Sequence, residues 1–521
     1  MNETFSPPAD ASTADTRRAP LLPRWLLAAV CLVLAFGFLD ARGIWDPDEG
    51  RYTNIALTML DRGEWLTPMR NLETGHWTKP PGAYWLIAAS VSAFGETAWA
   101  ARLPIALSYL ACVLLAAGCA RRLAPGSGRL AALIYATCLL PAGAAQLITA
   151  DYPLAAAQAL AMYAFVRYRF ADAGASAAAR GAWLPAMWAA FALGFMIKGP
   201  PALLPLLAVA ALGALAPGPG GAWRWHALGA ALFAALALPW YLTMGLRHEG
   251  LMEYFLGAEV VDRVASDRFG RHPEWYGWLK IYLPTLLLGT LPWTGELLRW
   301  ARALPARALA WRARQARVGE AGALFLALWI ALPLLVFCLA QSRLPLYLLP
   351  TFLPLAVAMA ATRHARGRGV PDLRWLLLWA LLLLGLRYAA AQWDTHKDAS
   401  EWAQAIRARS AAPVEEVLFV EDMARYGLRL HLGAEVEKLS RQPREQPRFN
   451  PEYDEPLRRE LEHAGDAPGS VFVAKQALWP PLRRQIAGYG YRAQALGAPY
   501  RGRVIFRVER APPAAPSPTR E

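Results

Sequence analysis

The sequence predicts a polytopic α-helical membrane protein with a small α/β domain at its C-terminal end. Three observations carry this. Of 521 residues, 56% are hydrophobic and only 18% are charged, against about 25% charged in ordinary soluble domains. Long apolar stretches recur along most of the chain, and stretches of that length read as membrane spans. After residue 391 the character changes: Pro, Arg and Glu rise, "EEVLFV" and "GRVIFRVE" read as strands, and "PLRRQIAGYGY" reads as helix then turn.

Residues 1–20 are polar and are expected to be a disordered cytoplasmic tail. The membrane domain is expected over 21–391, with about eleven spans, or up to 13 if short pieces pair. They lie near 21–39, 99–119, 130–147, 152–170, 183–197, 200–216, 226–244, 277–298, 322–340, 346–362 and 373–391. The piece 83–94 is too short to cross simply. The first run lacks a convincing small-residue cleavage site and reads as a retained span. A soluble domain follows over 392–510, and a Pro-rich tail over 511–521. No internal repeat is apparent, which argues against transporter folds built from inverted repeats.

The net charge of +14 comes mostly from arginines in short loops. It reports topology and anionic lipid rather than nucleic acid. The five cysteines show no CxxC or zinc spacing. Placing the arginine-rich loops (Arg17 to Arg24, Arg121 to Arg129, Arg167 to Arg180, Arg299 to Arg317, Arg363 to Arg368) in the cytoplasm is self-consistent with eleven spans. The outer face then receives 40–82, the turns at Asp151 and Lys198, the loop 245–276, "QSRLP" at 341–345 and the C-terminal domain.

The unusual polar residues gather on that outer face. "WDPDEGRY" brings Asp46, Asp48, Glu49 and Arg51 to the end of the first span. The following residues have Tyr52, Ile55, Ala56, Met59 and Leu60 on one face, as in a helix lying at the interface. A helix cap at Asp48 would explain part of the cluster. A calcium loop would not, since Arg51 and Leu57 occupy its sixth and twelfth positions. A D-x-D nucleotide site remains a weak rival. Lys79 precedes two prolines that hold an extended turn; it could bind a lipid phosphate or merely snorkel. Asp151 sits between two apolar stretches, where a carboxylate is costly and marks either a site or a cap. Lys198, then Arg263, Arg268 and Arg271, then Arg343 add cations on the same side, with His272 and Tyr347 beside them. A basic outer loop breaks the positive-inside trend, and an anionic ligand is the natural reason.

Taken in order, "DPDEGRY…GEWLTP", "KPPGAYW", "FGE…ARLP", "ITADYPLA", "KGP", "HPEWYGW…LPTLLLGTLPW" and "SRLPLYLLP" resemble the GT-C membrane glycosyltransferases. The likeness is closest to the aminoarabinose (lipid A) transferase and protein O-mannosyltransferase-like group, over roughly 20–390. It implies a transferase in a bacterial inner membrane that takes a sugar from a polyprenyl-phosphate donor on the periplasmic face. The acceptor would be lipid A or, alternatively, a protein or glycan hydroxyl. The residues matching the family's motifs would then have roles. Asp48 matches the catalytic base and Asp151 the second carboxylate. Arg51, Lys79, Lys198, Tyr347 and an arginine of 263–271 (Arg268 or Arg271) match donor-phosphate positions. Asp46, Glu49, Arg263, His272 and Arg343 would support them, Glu49 as a charge at a helix start. Thr78 stands where lipid A enzymes often have Glu before the Lys, and Val260 follows Glu259 where His might stand. No cofactor or tightly bound metal is therefore expected, though the sequence leaves a divalent ion open.

Overall fold

A computed structural model describes residues 23–172, 174–218, 220–262, 270–464 and 467–511. Helical segments fall on each of the eleven apolar stretches, but not as eleven simple rods. Among the described residues six helices are long and apolar enough to cross a membrane: Ala98–Leu123, Ala177–Lys198, Trp223–Arg247, Ala321–Leu339, Pro345–Ala365 and Leu373–Ala391. The first apolar stretch yields only the 13-residue helix Arg24–Phe36. The stretch 130–147 breaks where Cys138 adopts an extended backbone, leaving Gly128–Thr137 and Leu139–Ala144. The stretch 277–298 ends a helix at Gly289 and restarts at Thr294 after Pro292, since proline cannot continue a helical ladder. Pro200 and Pro201 open a 3-10 turn before Leu206–Leu215. The helix Asp151–Arg169 is long enough, but its Asp, Gln, Tyr and Arg residues dilute its apolar character.

The C-terminal region forms a six-stranded sheet of order β3-β2-β1-β4-β6-β5. The strands are β1 (Glu416–Val420), β2 (Glu435–Ser440), β3 (Glu455–Pro456), β4 (Ser470–Lys475), β5 (Tyr491–Ala495) and β6 (Arg503–Arg510). β3, β2, β1 and β4 run parallel, while β6 and β5 are antiparallel additions. The period of two along β1 sends Val417 and Phe419 to a core with Trp402 and Ile406. Leu418 and Val420 go to the opposite core, with Leu461, Leu482 and Ile486. Both faces are covered, as a parallel sheet requires.

The segment between the first helix and Lys79 lies between bundle and sheet. The helix Asp48–Arg62 does not rest at an interface with one free face: Thr53 to Met59 are all buried, because the helix Leu428–Leu432 of the sheet domain also packs on it. Main-chain bonds stitch the junction, from Asp46 N to Lys397 O (2.9 Å) and from Ala399 N to Ile44 O (2.9 Å). Arg70 Nε reaches Asp454 Oδ1 (3.0 Å), and Trp77 N donates to Asn450 Oδ1 (2.7 Å).

Glu49 is not a simple helix-start charge. Its buried carboxylate takes a forked pair from Arg42 (2.6 and 2.7 Å) and a bond from Arg102 (3.1 Å). The amides of Trp45 (2.9 Å) and Ile148 (3.2 Å) complete its shell. Arg102 also donates to the carbonyls of Leu39, Arg42 and Gly43. Burial alone would push the Glu49 carboxyl up, yet the two guanidiniums bring it down to about 2. Breaking a buried pair by removing one partner costs about 3–5 kcal/mol. Glu49→Ala should therefore lower the unfolding temperature of purified protein far more than Glu64→Ala in the same loop, as read by thermal unfolding in detergent.

Candidate active site

Lys79, Asp151 and Lys198 line one cavity of about 410 Å³, with Glu259, Ser342 and Tyr347. Its other walls are largely apolar, from Leu154, Phe195, Leu204, Phe255, Trp329 and Phe337 among others.

Local chain geometry fixes each polar group. The helix Trp183–Lys198 ends at Gly199, which takes a positive φ of 72°, so Lys198 stands at a helix C-terminus. Asp151 opens the helix Asp151–Arg169. Each charge complements its helix dipole, and the two are joined by a short hydrogen bond from Lys198 Nζ to Asp151 Oδ1. Lys79 lies in the turn that leads through Pro80 and Pro81 into the helix Gly82–Phe94. A Cβ on Gly82 would meet Met196 O at 2.6 Å. Only a glycine lets that helix approach the end of Trp183–Lys198, and so bring Lys79 and Lys198 to one cavity. Lys79 Nζ bonds Glu259 Oε2 (3.1 Å) and Thr78 O (2.6 Å). The Lys198 ammonium lies 4.7 Å from the Tyr347 ring centroid, and Arg271 Nη1 donates to the Tyr347 hydroxyl (2.9 Å). Ser342 is buried, and its hydroxyl has no hydrogen-bond partner among the described residues.

The remaining expected residues sort differently. Asp48 is not a side-chain cap: Pro47 holds the cap position and Asp48 is the first helical residue. Its carboxylate is largely exposed, 3.7 Å from Arg51, and neither lines the cavity. Both Asp48 and Asp151 act electrostatically on the buried Tyr52 hydroxyl, which burial and Tyr84 already push well above its ordinary value. Arg343 is buried and donates to the carbonyls of His272, Glu274 and Cys338. It staples the loop that carries Arg271, and His272 contributes its main chain to that staple. Arg263 and Arg268 lie outside the described residues. Glu259, Ser342 and Gln158 join the cavity from outside the set expected from sequence. Glu259 had a signal, an acid in a basic loop; Ser342 and Gln158 had none. Thr78 offers a hydroxyl, not a carboxylate, beside Lys79, and bonds His76 Nε2 (2.6 Å). Among the described residues, the acidic cluster that could hold an ion lies in the sheet domain instead.

A family model described as dolichyl-phosphate-mannose-protein mannosyltransferase matches residues 78–243. The curated "undecaprenyl phosphate-alpha-4-amino-4-deoxy-L-arabinose arabinosyl transferase 2" of Sodalis glossinidius is 35% identical over 385 residues, covering 70% of this chain and 65% of that protein. The corresponding transferase of Pseudomonas aeruginosa is 34% identical over 387 residues, covering 68% and 65%. The fold superposes on the crystal structure of ArnT from Cupriavidus metallidurans with a TM-score of 0.71 at 20% identity, covering 92% of this chain and 97% of that one. The undecaprenyl-phosphate-bound form of ArnT gives 0.70 at 21%, with the same coverage. The chain is similar to this GT-C group of aminoarabinose and protein O-mannosyl transferases, and it shares the ArnT fold. It is a multi-pass membrane protein with the family's architecture. The chain spans about 65% of the length of the curated relatives it matches.

Asp46, the first residue of the expected cluster, is buried and accepts from Gly427 N (3.2 Å). Burial pushes its carboxyl up to about 8, against the Gly427 bond and the charge of Arg425. A carboxyl with a folded pKa above its unfolded value holds its proton more tightly when folded. The stability it contributes is full below about 4 and is lost as pH rises through about 8. Asp46→Asn should flatten that part of the unfolding-temperature profile between mildly acidic and mildly alkaline pH, measured by thermal unfolding across buffers.

Proposed function

We propose that this protein is an inverting glycosyltransferase that moves a sugar from a polyprenyl-phosphate donor to lipid A, as a 4-amino-4-deoxy-L-arabinose-type modification. The observation that carries the reading is the cavity itself. Lys79 and Lys198 sit with Asp151 and Tyr347 at one polar site, and apolar walls continue from it. A phosphate head on a long hydrocarbon tail has that same division. The relatives' names, which specify undecaprenyl phosphate and aminoarabinose, support the donor class. The arginine distribution supports a bacterial inner-membrane location, with site and sheet domain on the periplasmic side.

In this reaction an acceptor oxygen forms a bond to the anomeric carbon as the carbon–oxygen bond to phosphate breaks. Polyprenyl phosphate leaves with the electron pair. Lys79, Lys198 and Arg271 stabilise the charge that grows on it, the kind of term whose removal costs about 10²–10³ in rate. Tyr347, held by Arg271 and faced by Lys198, orients the phosphate side. A lipid A phosphate acceptor is largely ionised at neutral pH, since its second pKa is near ~6, and needs little help from a base. A hydroxyl acceptor must lose a proton, which Asp48 or Asp151 would accept. The mannosyltransferase family match over 78–243 favours keeping that second reading, transfer to a protein or glycan hydroxyl.

Lys79→Ala and Lys198→Met should each lower transfer about 10²-fold or more with folded protein retained. Mass spectrometry of lipid A from cells carrying each variant reads this out; an unchanged profile removes that lysine from the site. Asp48→Asn and Asp151→Asn together separate the acceptor classes: residual transfer well above background in both fits a phosphate acceptor, and loss of about 10²–10⁴-fold in either fits a hydroxyl. Altered glycoprotein with unchanged lipid A would overturn the lipid A assignment.

A further inference from the structure

Four glutamates converge at one edge of the sheet domain, away from the catalytic cavity. Glu416 opens β1, Glu437 lies within β2, Glu455 opens β3, and Glu460 sits on the helix Leu457–Ala464 that follows β3. Carboxylate oxygens of Glu416, Glu437 and Glu460 lie within 4.8 Å of one another. Glu437, Glu455 and Glu460 are buried and Glu416 is half-buried. Among the described residues no salt bridge reaches Glu416, Glu437 or Glu460; Arg459 pairs with Glu455 (3.2 Å) and is otherwise largely exposed. Ser470 Oγ donates to Glu416 Oε2 (3.2 Å) and Asn71 Nδ2 to Glu437 Oε1 (2.9 Å). A second observation points to a missing partner. Glu460 is only 4% exposed, and its Oε1 has no hydrogen-bond partner among the described residues.

Buried like charges without a counter-charge are strongly unfavourable. Either protons or a cation must neutralise them. A hard divalent ion bonds carboxylate oxygens at about 2.3–2.6 Å, so its ligands lie up to about 5 Å apart, the spread found here.

We propose that Glu416, Glu437 and Glu460 bind a divalent cation of the calcium class, with Glu455 adding charge beside them. The ion fastens β1, β2 and the helix Leu457–Ala464 into one unit. It also holds Glu437 toward Asn71, whose Oδ1 accepts from the amides of Glu73 (3.1 Å) and Thr74 (2.6 Å). The site thus steadies the loop that leads to Lys79, without touching the reacting atoms. Burial pushes the three carboxyls up, to about 7 for Glu416, about 9 for Glu437 and about 10 for Glu460, helped by their mutual repulsion and, for Glu460, by Glu455. Binding therefore displaces protons and tightens as pH rises.

The test uses the full-length protein in detergent, stripped with chelator and titrated with calcium chloride by calorimetry. Magnesium chloride is run in parallel to define selectivity. The expected result is one saturable calcium site per chain, weaker at mildly acidic pH, with a rise in unfolding temperature on loading. Glu460→Gln and Glu437→Gln should each weaken binding at least ~10-fold, the scale on which even supporting residues act at metal sites. Both keep side-chain size. Each should match or exceed wild-type unfolding temperature in chelator, because a repelled carboxylate is gone, and lose the calcium-induced rise. If one variant fails to fold, the other carries the test. Absence of saturable binding, or binding and stabilisation that survive both substitutions, would overturn the proposal and leave shared protons as the neutralising species.

Discussion

The Glu49 carboxylate is the fixed point of this protein. It receives Arg42 from the loop after the first helix, Arg102 from a long membrane helix, and the amide of Ile148 from the turn just before Asp151. Three parts of the chain, spread over about a hundred residues, are thereby tied to one atom group. Burial makes the arrangement all-or-none. Each guanidinium would be stranded without the carboxylate, and the carboxylate would be stranded without them. Asp48 is its neighbour on the same helix and Asp151 follows Ile148 by three residues. The distance between the two candidate catalytic carboxylates is thus set by a residue that does no chemistry.

The two cavity lysines, and Arg271 behind Tyr347, each have a partner. Lys79 faces Glu259, Lys198 faces Asp151, and Arg271 faces the Tyr347 hydroxyl. Under the proposed reaction a donor phosphate exchanges partners with these groups rather than meeting bare charge. The arrangement lets the resting protein keep buried cations satisfied. Loading of the phosphate would also free Asp151 from Lys198, and a freed carboxylate is what an acceptor hydroxyl would need. The two lysines occupy different structural positions, one on a turn held by Pro80 and Pro81, the other at a helix end. They meet only because Gly82 has no side chain.

Much of the fold was legible in the residues. Each of the eleven apolar runs carries helix among the described residues, because the bilayer leaves only regular backbone as a solution. What they did not disclose was breakage. Cys138 itself carries no turn signature; the break falls there because Pro141 has no amide to bond the Thr137 carbonyl and its ring crowds it. Lys79, Asp151, Lys198 and Tyr347 were legible as polar residues at the ends of apolar runs, where charge is expensive. Glu49 was read as a helix-start charge because its partners Arg102 and Ile148 lie far away in sequence, and no local pattern encodes them. Arg343 likewise looked like a ligand and is a staple, since its acceptors are main-chain carbonyls that every residue possesses. Ser342 and Gln158 had nothing to distinguish them from ordinary polar residues at a rim.

The stitching of the first loop to the sheet domain has a consequence for the order in which the molecule can be built. Arg70 meets Asp454 across 384 positions, and Asp46 meets Gly427 across 381. A ribosome that has finished the whole membrane bundle has still not supplied the partners of the loop it made near the start. The loop must wait, with Asp46, Arg70, Asn71 and Trp77 unclosed, until the last fifth of the chain emerges. Closure of the loop beside the candidate site therefore waits on the sheet domain, and a nascent chain halted inside that domain would hold Lys79 and Lys198 while lacking the frame that closes the loop beside them.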